Sequence, residues 1–440
     1  MIRFRCLPTR FLALLAGVLL VLGGAACATV PVEEDLTDHE GRIEQLQQRI
    51  ARNPDDAEAL RDLGIIYLRT RQYGRASEYL EMAFARDPGD PATLFHLGMV
   101  NEALGKRESA LRLYEKYPEV SRASKYRKLM AGRYEWVVRR MMEEDVRDRL
   151  RREQELRARG DTACLEPVEP RVVGVYPLVY QGQDERYAAL GRGLAEMITI
   201  DLTHVNSLRV VERVRLQELI DEINLAQTAL FDPGTAPRVG CLMGAGRLLG
   251  GVYNVLGDDD LRLDATVWED EETVELDPQT DALRRLFELE KALVFSFLDR
   301  IGVQLTPEER QRIEYIPTQN LQAFLAYSRG LEREDAGAYG DAAAFYQQAA
   351  RLDPAFTEAA DRADKAEGQV TVAGPVEGAL SALFTPAGPT VDPMGSRLRH
   401  LTGGIGASLV PGQDNRNPAE EAGSTTATLP DPPPPPSRGN

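Results

Sequence analysis

Residues 190–253 carry their apolar side chains in an order that few architectures accommodate. Leu190, Leu194, Met197, Ile198 and Leu202 recur at helical spacing and mark one face of a helix. After a turn at Asn206-Ser207, Leu208-Arg-Val-Val-Glu-Arg is short and β-branched, the composition of a strand. Leu216, Leu219, Ile220 and Ile223 form a second helical stripe, closed by Asp232-Pro233-Gly234. Ala236, Val239, Leu242 and Met243 form a third, and after Gly244 and Gly246 comes the apolar strand Leu-Leu-Gly-Gly-Val-Tyr-Asn-Val. Upstream, Val172-Val-Gly-Val-Tyr-Pro-Leu-Val is a continuous apolar run, the mark of a strand covered on both faces. Downstream, Leu261, Leu263, Ala265 and Val267 alternate with polar residues, and a helix carries Leu283, Leu286, Phe287, Leu293, Val294, Phe297, Leu298 and Ile301. The order predicts an α/β domain over 165–305, a mixed sheet covered by helices.

A second period flanks this domain. From Ala57, the residues Leu60, Gly64, Tyr67, Ala76, Leu80, Ala83 and Pro88 occupy slots 4, 8, 11, 20, 24, 27 and 32 of a 34-residue unit. Leu94, Gly98, Ala110 and Tyr114 repeat the register from Pro91, until Pro118 cuts the second helix short. The pattern is similar to the tetratricopeptide repeat: small residues where paired helices touch, large ones in their grooves. From Ala323, the residues Gly330, Ala342, Tyr346, Ala349 and Pro354 fall in the same slots. A single repeat cannot bury its own face, so it must pack on the central domain, the N-terminal repeats or another subunit. All-α repeats are therefore expected over 41–118 and 306–367.

Several residues of the central domain resemble a known family. Tyr176-Pro177, the Gly191-Arg-Gly-Leu helix start, Leu208-Arg-Val-Val-Glu-Arg and Gly244…Gly250-Gly251-Val-Tyr look like the CsgG-type domain of curli-secretion and other envelope lipoproteins. The resemblance spans about 171–302. It implies a cell-envelope protein and raises the reading of a secretion-channel subunit, in which each protomer lends two hairpins to a shared β-barrel. Strands that cross a membrane need about 9–11 residues each. The two corresponding positions here offer residues 257–260 and the acid-rich 269–281, so a channel is disfavoured.

The leader supports an envelope destination. Arg3, Arg5 and Arg10 precede a short apolar run over 11–22, as in a signal peptide spanning 1–26. Gly24-Ala25-Ala26-Cys27 is similar to a bacterial lipobox and would make Cys27 the lipidated N-terminus. Ala28 lacks the acidic character associated with inner-membrane retention, so the expected location is the outer membrane, facing the periplasm, with a tether over 27–40. In such a compartment Cys164 and Cys241 either bridge or remain as thiols. The net charge of −17 argues against nucleic acid or an anionic membrane surface as partner. Any membrane contact should run through lipid.

Residues 119–160 read as a long Arg-rich amphipathic helix, either a capping helix with a solvated charged face or a self-association helix. Residues 368–440, rich in Gly, Pro, Ser and Thr, predict a disordered tail. No metal-spaced His pair, Walker loop, nucleophile elbow or Cys-x-x-Cys occurs, and the expectation is a non-enzyme with no metal and no cofactor. The expected partner site is the repeat groove at slots 5, 9 and 12: Arg61, Ile65 and Leu68, then Phe95, Met99 and Glu102. Either a partner segment occupies it, or a helix of the chain itself does. The function that fits best is a protein-binding envelope scaffold that docks or homo-oligomerises through its central domain. A ligand-sensing regulatory lipoprotein is the other reading.

Overall fold

The computed structural model describes residues 39–161, 163–165, 167–223, 235–257, 260–269 and 272–384. The N-terminal repeats comprise α1 (Glu40–Arg52), α2 (Ala57–Arg69), α3 (Tyr73–Arg86), α4 (Pro91–Ala103) and α5 (Arg107–Tyr114). Their starts are capped: Asp56 accepts from the Ala59 amide and Asp90 from Thr93, with Pro91 in the first turn. Slot 8 is glycine for a steric reason. A Cβ on Gly98 would stand 2.3 Å from the Tyr114 ring, and one on Gly330 would stand 2.4 Å from Tyr346.

The helix α6 (Lys125–Ala158) joins the two kinds of structure. Its first half stacks on the second repeat, and Val146 and Leu150 in its second half enter a core with Val172, Leu216, Leu219, Val239 and Leu242. The α/β domain follows, with β1 (Glu169–Val175), β2 (Val179–Tyr180), α7 (Leu190–Thr203), β3 (Arg209–Val210), α8 (Arg213–Glu222), α9 (Ala236–Met243), β4 (Ala245–Leu256), β5 (Asp260–Glu269), β6 (Glu272–Glu275), β7 (Gln279–Ala282) and α10 (Leu286–Arg300). The sheet order is β3-β1-β4-β5-β6, with β2 on β4 and β7 on β5. β1 runs parallel to β3 and β4, while β5 is antiparallel to β4, β6 and β7. One face is covered by α7 and α10, the other by α8, α9 and the end of α6. The sheet is mixed and helix-covered, as its period pattern requires.

After α11 (Pro307–Ile313), α12 (Leu321–Asp335) and α13 (Tyr339–Leu352) form the C-terminal repeat. It packs on two supports. Phe324 contributes to the core beneath α7 and α10, and α14 (Thr357–Val372) lies against α6. At that crossing a Cβ on Gly132 would come within 2.3 Å of the Gly368 carbonyl carbon, so the two backbones touch. Ion pairs flank the contact: Arg127 with Asp361 and Asp364, Lys128 with Asp364 and Glu367, and Lys365 with Glu135.

Three sequence expectations change here. Residues 368–384, expected as tail, are helical: α14 runs to Val372 and α15 (Val376–Phe384) follows, burying Val376, Ala379 and Leu380. Those three recur at helical spacing inside a stretch whose average composition reads as tail. The acid-rich 269–281 contributes two edge strands, β6 and β7, which the apolar pattern does not mark. The Arg-rich helix is not simply a solvated face: Arg127, Arg133 and Arg139 are buried.

Candidate functional site

The expected groove is interior. Leu68, Phe95 and Met99 are fully buried, while Ile65 and Arg61 are half-buried. Phe95 sits between Tyr114 of its own repeat at 6.2 Å and Tyr126 of α6 at 6.0 Å. Of the two occupants the sequence left open, a helix of the chain itself covers the second repeat's part of the strip, at Phe95. Helix α6 stacks as the next helix of the array and covers the second repeat. Arg61 is paired with Asp62 at 2.8 Å and Asp90 at 3.5 Å.

Glu102 is not a groove acid but the centre of a buried polar node. It accepts two hydrogen bonds from Arg133, each at 2.7 Å, and one from the Tyr114 hydroxyl at 2.7 Å. Arg133 is wholly buried. Its remaining donors reach the carbonyls of Val372 at 2.6 Å and Gly374 at 2.7 Å, and it stacks 4.4 Å from the Trp136 ring. Removing either partner would leave a charge in the interior, which is why such nodes are complete or absent.

The C-terminal repeat holds a matching node. The Tyr346 hydroxyl donates to Glu334 at 2.5 Å, and Arg362 donates to both Glu334 oxygens at 3.1 Å. Burial raises the Glu334 pKa, but Arg362 and Arg213 outweigh it and hold the pKa down to about 2. Arg362 also reaches Glu196 on α7, and Arg213 on α8 bridges Glu196 at 2.8 Å and Asp335 at 2.6 Å. Repeat and α/β domain are therefore joined by an ion network rather than by apolar contact alone. In sequence, the shared signal is a Glu twelve residues before the slot-24 Tyr in both repeats.

A third polar group lies inside the α/β domain. Lys291 on α10 donates to Asp201 on α7 at 2.6 Å and stands 3.2 Å from Glu290. Glu290 is wholly buried, and burial followed by the nearby Asp201 charge raises its pKa well above the usual carboxylate range.

Cys164 and Cys241 form a disulfide with a Cα separation of 4.9 Å, tying the segment after α6 to α9. Cys27 and the tether lie outside the described residues, as do the leader and residues 385–440.

Comparison with protein families bears on both halves of this architecture. Residues 166–254 match the family model described as curli production assembly/transport component CsgG. The central domain is CsgG-type. Residues 43–91 and 62–125 match the tetratricopeptide repeat model, so α1–α5 on the N-terminal side of this CsgG-type domain are repeats of that class, which generally mediate protein–protein interaction. The C-terminal helices α12–α14 repeat the Gly–Tyr contact and the Glu–Tyr–Arg node of the N-terminal array. No curated protein matches the chain.

Proposed function

We propose that this protein is a non-enzymatic scaffold of the bacterial envelope, lipid-anchored through Cys27 at the outer membrane and facing the periplasm. Its repeats bind a protein partner, and its CsgG-type domain docks or homo-oligomerises. The observation that carries this reading is α6. One helix is at once the last stacked helix of the N-terminal repeats and part of the second α/β core. A partner held by the repeats is thus held rigidly relative to the sheet.

A channel subunit is the less supported reading. β4 and β5 pair up to Leu256 and Asp260, with three residues between them, and β5 and β6 pair up to Glu269 and Glu272, with two. Neither connection has the length of a membrane-crossing hairpin.

Because Leu68, Phe95 and Met99 are internal, the partner surface of the first repeat centres on the half-buried Arg61 and Ile65. The test is crosslinking of the full chain in intact envelopes. Ile65→Arg should abolish a specific crosslinked band while leaving the melting temperature near that of the wild type. Cys27→Ser should release the protein from the outer-membrane fraction. Unchanged crosslinking in the Ile65 variant removes the repeats from the partner site. Retention of the Cys27 variant in the membrane fraction removes the anchor.

A further inference from the structure

The loop leaving the carboxyl end of β2 and the helices α12 and α13 enclose a surface cavity of about 210 Å³. Its floor is Leu325 and Ala326, both buried, and its rim carries Arg186, Tyr187, Gln322, Arg329 and Gln348.

The topology gives this position meaning. β1 has parallel neighbours on both sides, β3 and β4, so the winding of the chain reverses at β1. In open α/β sheets, ligands bind outside the carboxyl ends of the strands at such a reversal. Here the innermost part of that crevice is closed. The Gly191 amide at the start of α7 donates to the Tyr253 hydroxyl at 3.1 Å, and the Leu178 carbonyl abuts Gly191. The open space lies one step outward, where the next loop meets the C-terminal repeat.

The lining has one sign of charge. In a chain of net charge −17, the charged residues around this cavity are two arginines, with no carboxylate among the lining residues. Arg186 is held by Asp184 at 2.6 Å and stacks over the Tyr187 ring at 5.4 Å. Arg329 has no carboxylate partner among the described residues. Nearby, Arg192 pairs with Asp335, Arg213 with Glu196 and Arg362 with Glu334. An unpaired guanidinium on a half-buried arginine, beside an apolar floor and two carboxamides, matches a planar carboxylate with a neutral polar group beside it.

We propose that this cavity is a binding site for a small carboxylate, gripped by Arg329 and flanked by Gln322 and Gln348. The carboxylate belongs either to a free organic acid or to the C-terminus of a short peptide. Because both the α/β loop and the repeat contribute to the site, an occupant clamps one against the other. The inference is independent of the scaffold reading, since it requires neither a lipid anchor nor a protein partner.

The experiment is calorimetric titration of the full chain with glutarate, N-acetyl-dialanine, its C-terminal amide and inorganic phosphate. The expected result is saturable binding of at least one carboxylate probe and none of the amide. Arg329→Gln should weaken that binding at least tenfold at an unchanged ligand-free melting temperature. Arg329→Lys, which keeps the charge and loses the fork, should fall between. Preference for the peptide acid assigns a peptide terminus, and preference for glutarate assigns a free acid. Binding of phosphate alone, equal binding of acid and amide, no binding at all, or unchanged affinity in Arg329→Gln each overturns the assignment.

Discussion

Gly132→Ala is the sharpest probe of the architecture, because two opposing effects can be weighed. In an exposed helix the change stabilises by about 1 kcal/mol through helix propensity. At this position the new methyl carbon would lie 2.3 Å from the Gly368 carbonyl carbon and 2.4 Å from the Gln369 nitrogen. Carbon contacts are favourable near 3.5–4.0 Å, so α6 and α14 must separate by roughly 1 Å. Backbone atoms cannot rotate away as a side chain would. The separation loosens the Arg133 bonds to Val372 and Gly374 and the flanking ion pairs. Overpacking in tight interiors costs about 1–3 kcal/mol, and the upper end applies here. The net loss should be about 2 kcal/mol, a fall of roughly 3 °C, since an unfolding entropy of about 2.1 cal/mol/K per residue makes each kcal/mol worth about 1.5 °C in a folded part of this size. Differential scanning calorimetry of the full chain reads this directly. Gly41→Ala in α1 is the control, because its Cβ would meet nothing within 4 Å. If Gly132→Ala melts with or above that control, α6 and α14 are not in backbone contact.

Phe95→Ala should lower stability by about 3–5 kcal/mol, since the ring is wholly buried between Tyr114 and Tyr126; an unchanged urea midpoint would return Phe95 to a free surface. Glu290 has a raised folded-state pKa, so its contribution is complete below the unfolded carboxylate range near 4.5 and is lost as pH rises through the folded value. Glu290→Gln should therefore gain on the wild type progressively from pH 5 to pH 8, and urea midpoints that keep a constant difference would count against the buried neutral acid. Reducing Cys164–Cys241 opens a segment with a sequence separation of 77. By the loop-entropy relation this removes about 4 kcal/mol, checked by melting with and without reductant; equal curves would show that the bridge adds nothing. Glu334, held down to about 2, contributes stability that is present above the usual carboxylate range and lost as pH falls from about 4.5 toward 2. Glu334→Gln should flatten the acid limb of the stability curve, and an unaltered limb would deny the network that role.

The order of elements in the α/β domain was legible because each buried face repeats at the period of its own secondary structure. Leu190 to Leu202 and Leu216 to Ile220 announce α7 and α8 without reference to the rest of the chain. Strands β6 and β7 were not legible, since Glu272, Thr273, Gln279 and Asp281 show no apolar face and are held by backbone bonds to β5. Helix α15 was hidden by its surroundings: its short apolar stripe is averaged away over 368–440. At the repeats, slot numbers told which side chains face the array but not what covers them. The cover over Phe95 is Tyr126, some thirty residues later, and nothing local encodes that meeting. Arg133 was hardest to read. It sits in a charged helix that mixes buried arginines (Arg127, Arg139) with exposed ones (Arg147, Arg151, Arg152, Arg157), and its burial depends on carbonyls at 372 and 374.

That dependence fixes an order of events during synthesis. The N-terminal repeats emerge first, yet Arg133 acquires two of its acceptors only after residues separated from it by 239 and 241 positions have been made. Until then the Gly132 face of α6 is bare, and Arg133 has its Glu102 partner but not its two carbonyl acceptors. Pairings this distant in sequence form slowly, because the closure entropy must be met before any contact repays it. A chain stopped short of α14 has complete repeat sequences and still lacks a finished repeat array. In this molecule, the last helices to arrive complete the burial of a side chain made 239 positions earlier.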